Sequence, residues 1–113
     1  MQVIRIYTGD DSQTHFQEVD LDTFAAIATN PGQGPLRLNH RPGDAGLAFH
    51  NAPRRQYVVL LSGKMEIETG LGEKRLLGPG DVLIAEDLTG KGHTTRSVGG
   101  ELRVSLSIPL AWS

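Results

Sequence analysis

The chain has 113 residues, of which 38% are hydrophobic, and reads as a single domain over residues 1–113, because a core of this size does not divide into two independently stable halves. A formal charge of −2 at pH 7 argues against a nucleic-acid or anionic-membrane partner, which needs a clustered positive surface, and the absence of cysteine excludes a disulfide framework, a thiolate metal site and a thiol nucleophile. No stretch approaches the roughly 18 to 20 apolar residues that span a bilayer, so the expectation is a soluble cytoplasmic protein with no membrane or nucleic-acid partner.

Val3-Ile4-Arg5-Ile6-Tyr7 is rich in β-branched residues and predicts a first strand, ending at the turn Gly9-Asp10-Asp11. A second strand is expected over residues 15–19. Residues 22–28 carry an acidic start and three alanines, which predicts one or two helical turns capped by Asp20 or Asp22. It is the one helix candidate. From Asn30 to Gly46 the density of proline and glycine predicts a loop, with one short strand near Leu36-Arg37-Leu38.

The stretch from His50 to His93 organises the rest. Leu47-Ala48-Phe49-His50 leads through Asn51-Ala52-Pro53 into residues 56–61, a run apolar on both faces that predicts a fully buried strand. Met65-Glu66-Ile67-Glu68-Thr69 alternates strictly and predicts a hairpin arm wet on one face, followed by a turn at Gly70-Leu71-Gly72. Gly78-Pro79-Gly80-Asp81 starts a second buried block, Val82-Leu83-Ile84-Ala85. A strand at Thr94-Thr95-Arg96 follows His93, and a last alternating strand runs from Leu102 to Ile108. Short strands at roughly ten-residue spacing with glycine-rich turns predict an all-β sandwich or barrel with at most one short helix.

The residues from His50 to His93 resemble the two motifs of the cupin superfamily, G(x)5HxH(x)3-4E(x)6G and G(x)5PxG(x)2H(x)3N. The first motif places its histidines on His50 and Ala52, its glutamate on Gln56 and its closing glycine on Gly63. The second begins at Gly80-Asp81, has Glu86 where proline is expected, and reaches His93 two residues late after the lengthened turn Thr89-Gly90-Lys91-Gly92. The resemblance covers about half of the chain. It implies a small cupin-type β-barrel, the double-stranded β-helix or jelly roll, with Gln56, Val58 and Leu60 facing inward and His50 and His93 entering from neighbouring strands.

Three functions are compatible with that site. The first is an isomerase or lyase acting on a small polar, carbonyl- or carboxylate-bearing molecule, with His50 and His93 taking and returning a proton, because imidazole titrates near neutral pH. In this reading Gln56, Arg54 and Glu86 are the substrate-binding candidates, with the Arg54 guanidinium a possible clamp for a carboxylate or phosphate. The second is a metal-dependent oxygenase or lyase, with His50, Gln56 and His93 holding a divalent ion of iron, manganese, nickel, copper or zinc. The third is a non-enzymatic module that binds a small ligand. Against these stand plainer roles: His50 capping a strand edge, His93 as a surface histidine, Gln56 bonded to backbone, Arg54 and Arg55 solvated, and Glu86-Asp87 as a solvated turn rather than an acid/base pair. The outer face of Tyr57, Val59 and Leu61 needs a cover, for which a second subunit is predicted, making a homodimer.

Overall fold

Period-two alternation of apolar residues sets the strands, and glycines in left-handed conformation set several of the turns between them. The computed structural model describes residues 1–111. Among them the order is β1 (Val3–Thr8), β2 (Thr14–Glu18), α1 (Leu21–Ala28), β3 (Arg37–Arg41), β4 (Gly46–His50), β5 (Gln56–Ser62), β6 (Lys64–Thr69), β7 (Lys74–Leu77), β8 (Val82–Glu86), β9 (His93–Val98) and β10 (Arg103–Pro109).

These strands form two sheets, one of six strands in the order β2-β1-β8-β5-β10-β3 and one of four in the order β4-β9-β6-β7. Strand pairs are antiparallel except β1 with β8. The parallel contact is secured by the buried Asp81, whose carboxylate accepts from the backbone N–H of Gln2 at 2.7 Å and of Gly78 at 2.8 Å. Burial pushes the Asp81 carboxyl up, but these bonds outweigh it and leave the group below the ordinary aspartate range.

One apolar core lies where the sheets face each other: Ile4, Ile6, Leu60 and Leu83 come from the larger sheet, Met65, Ile67 and Leu77 from the smaller. A second core lies on the other face of the six-stranded sheet. There Val3, Val82 and Ile84 pack with Tyr57 and Val59 under Phe24 and Ile27 of α1. The helix exists because Asp20 caps it, accepting from Thr23 N–H at 2.7 Å, and because Phe24 and Ile27, three residues apart, fall on one face. Phe24 meets Tyr57 edge-on with ring centroids 5.2 Å apart.

The expected helix and strand β5 are both present, but β5 is packed on both faces without being fully buried, since only Leu60 is fully covered, and its cover differs from expectation. Tyr57 and Val59 are packed by the chain's own helix, so they do not call for a second subunit; Leu61 alone of the three is exposed. Two strands go beyond the sequence reading. Residues 47–50, read as a lead-in, belong to the edge strand β4, and β7 was not foreseen because an edge strand with exposed Lys74 and Leu76 lacks a clear alternation. Among the described residues no helix is long and apolar enough to cross a membrane.

Candidate functional site

The site begins with a register. β4 and β9 pair so that His50 stands opposite His93. The close approach depends on Gly92, which has φ +77° and whose missing Cβ would lie 2.1 Å from the His50 carbonyl oxygen. The two imidazoles sit with centroids 4.4 Å apart, tilted by 56°.

Each ring is fixed through Nδ1. His50 Nδ1 donates to the Ala48 carbonyl at 2.8 Å, and His93 Nδ1 to Asp87 Oδ2 at 2.5 Å. Asp87 is fully buried and also accepts from Thr14 Oγ1 at 2.8 Å, while its Oδ1 has no protein partner among the described residues. In the neutral form of either ring these bonds place the proton on Nδ1 and leave the Nε2 lone pair for an incoming group. His93 is only 3% exposed, so its surface-histidine reading is overturned, and the solvated turn expected at Glu86-Asp87 is overturned with it.

Both histidines line a cavity of about 280 Å³ between the sheets from the four-stranded side, and Gln56 lines it from β5 of the six-stranded sheet. Its apolar part includes Ala52, Val58, Met65, Leu83 and Ala85, as the alternation along β5 and β8 requires. Arg54 does not line this cavity. Its Nε donates to Gln56 Oε1 at 3.0 Å and its guanidinium also donates to the Pro35 carbonyl at 2.8 Å, so it orients the Gln56 amide and leaves the NH2 end as the available donor. Glu86 is also outside. It lies on the opposite face of β8 from Leu83 and Ala85, held by Arg55 at 2.6 Å and Arg5 at 2.9 Å. Burial raises the Glu86 carboxyl, but the bonds and charges of Arg55 and Arg5 outweigh it and keep the group below the ordinary glutamate range. Substrate-binding roles for Arg54 and Glu86 therefore have no geometric basis in this cavity.

Sequence reasoning misjudged one residue of the site and passed over two. Asp87 was weighed with Glu86 as an acid/base pair and set aside, since an acid next to a glycine-rich turn is ordinarily solvated. Arg41 and Arg103, which line the cavity from β3 and β10, were hidden because each stands at a strand end and its meaning depends on the other strand lying alongside.

The divalent metal that the resemblance implies does not suit this donor set. Among the described residues no three His, Cys, Asp or Glu side chains converge, Gln56 is a neutral donor already engaged by Arg54, and two guanidiniums line the same cavity. No protein-family model matches the chain, and no curated protein matches it.

Proposed function

We propose that the chain is a cupin-type jelly roll that acts without a metal on a small carbonyl-bearing molecule, moving a proton at the carbon next to the carbonyl as an isomerase or lyase does. The observation that carries this reading is the buried Asp87–His93 pair at 2.5 Å, with His50 beside it on the cavity wall. Asp87 holds the imidazole in one tautomer and offsets the charge that forms when Nε2 takes a proton, and positioned acid–base catalysis of this kind contributes on the order of 10²- to 10⁴-fold. His93 takes the proton from carbon, the electron pair shifts onto the carbonyl oxygen, and the Gln56 NH2 donates to the resulting enolate. His50 or His93 then returns a proton to carbon, which closes an isomerisation. Two packed sheets with one core between them, and Gln56 and Val58 both on the cavity side of β5, support the jelly-roll reading.

The test is proton NMR in D2O on a panel of pyruvate, 2-oxoglutarate, fructose 6-phosphate and dihydroxyacetone. At least one member is expected to exchange its C–H next to the carbonyl faster with protein than in buffer. That gain should fall on the order of 10²-fold in His93→Ala and at least about tenfold in Asp87→Asn, and persist in EDTA. Buffer-rate exchange across the panel, or full activity in His93→Ala, would overturn the proposal.

A further inference from the structure

The end of the cavity away from the histidines has its own chemistry. Arg41 of β3 and Arg103 of β10 face each other in register, and both line the cavity. Like charges directly opposite on neighbouring strands repel, and a partly buried guanidinium also loses hydration. Neither cost is offset within the chain: among the described residues no carboxylate lies within 4.0 Å of either guanidinium. Among the described residues Arg41 donates only to the neighbouring His40 carbonyl, at 3.0 Å, and Arg103 Nη1 is buried with no hydrogen-bond partner. Burial, and then the charge of Arg41, both act against the Arg103 cation. Folding alone does not favour such a pair, whereas an oxyanion entering the cavity would meet both charges and the unused donor.

We infer that the Arg41–Arg103 end of the cavity is an oxyanion subsite, which holds a carboxylate or phosphate group of the ligand while its uncharged part lies over Val58 and Leu83 toward Gln56 and the histidines. Planar guanidiniums suit this task because they present paired donors to two oxygens at once. Asn39 and Ser105, the next cavity-facing pair inward on the same two strands, offer neutral hydrogen bonds beside the anion. Gln56 pairs with Pro109 at the far end of β10 from Arg103, so the anionic and reacting ends are separated along that strand. Six residue steps correspond to about 20 Å along the backbone, which the inward reach of two arginines shortens considerably. At about 280 Å³ the cavity encloses a metabolite-sized ligand rather than a whole nucleotide. This subsite rests on the same cavity being the ligand site, but not on the proton chemistry there.

The test follows thermal unfolding of the full chain in titrations with sodium phosphate and with succinate, ionic strength being held by sodium chloride and glycerol serving as the neutral probe. A saturable rise in Tm with one oxyanion or both, absent with glycerol, is expected, because a ligand that binds only the folded state stabilises it by mass action. Response to succinate, to phosphate or to both supports the subsite and tells which oxyanion it takes. Arg103→Gln and Arg41→Gln should each weaken the apparent affinity at least about tenfold. Arg41 is exposed, so Arg41→Gln decides the matter if Arg103→Gln does not fold. No saturable response in the wild type, or equal affinity in the arginine variants, would refute the subsite. Anion binding without carbon exchange would leave the subsite standing and sink the proton-transfer reading instead.

Discussion

Glu86 and Asp87 are neighbours with opposite fates, and the cause is strand alternation. Glu86 leaves β8 on the face that meets Arg5 and Arg55; Asp87, one step on, is buried against His93 and Thr14. Glu86 joins three segments of the chain through two ion pairs, both with little solvent exposure on the carboxylate side. Breaking such a pair from one side leaves cations without a partner, so Glu86→Gln is expected to cost about 2 to 4 kcal/mol at pH 7 in urea unfolding. The folded carboxyl titrates below its ordinary value of 4.5. Its contribution is therefore fully present above that value and is lost as pH falls through the lower, folded one. The gap between wild type and variant should accordingly narrow below about pH 4.5; a gap unchanged at pH 3 would contradict the assignment. His50, Gln56 and His93 were legible from motif spacing, whereas Asp87, Arg41 and Arg103 were not, because their meaning depends on which strand faces them.

At the scale of elements, the turn between β8 and β9 does as much for the site as the side chains it delivers. Gly92 and Gly80 both have positive φ, +77° and +87°, but only Gly92 is crowded: nothing lies within 4 Å of the Cβ position at Gly80. Alanine at either position meets the left-handed penalty of about 1 to 2 kcal/mol. At Gly92 it must also push β4 from β9. Gly92→Ala should thus lower stability further and abolish carbon exchange by separating His50 from His93, whereas Gly80→Ala should lower stability alone. Equal exchange rates in the two variants would show that the histidine pairing is not needed. The edge strands tell a similar story about legibility. β5 was readable because both of its faces are apolar, but β7 was hidden by its exposed positions, and the parallel pairing of β1 with β8 joins segments nearly eighty residues apart that no local pattern links.

For the molecule as a whole, part of the exposed apolar surface lies at the sheet edges. β3 ends the six-stranded sheet with Leu38 61% exposed, and β4 ends the four-stranded sheet with Leu47 56% and Phe49 45% exposed. Open edges with apolar side chains are templates for pairing with another chain. A dimer through these edges is the expected state in light scattering at micromolar concentration, with Leu47→Lys shifting it toward monomer; a monomeric wild type would remove the homodimer from the account.

Pattern and spacing were sufficient for a β-rich chain with one capped helix, for β5 as a strand apolar on both faces, and for His50, Gln56 and His93 as residues to watch, because these follow from local periodicity and turn chemistry. The cover over Tyr57 and Val59, the exclusion of Glu86 from the cavity, the pairing of Asp87 with His93 and the opposed arginines depended on tertiary structure. Each requires knowing which distant strand lies alongside and which way a side chain turns at a strand end. A one-residue step there separates the buried partner of a histidine from an ion pair on the other face.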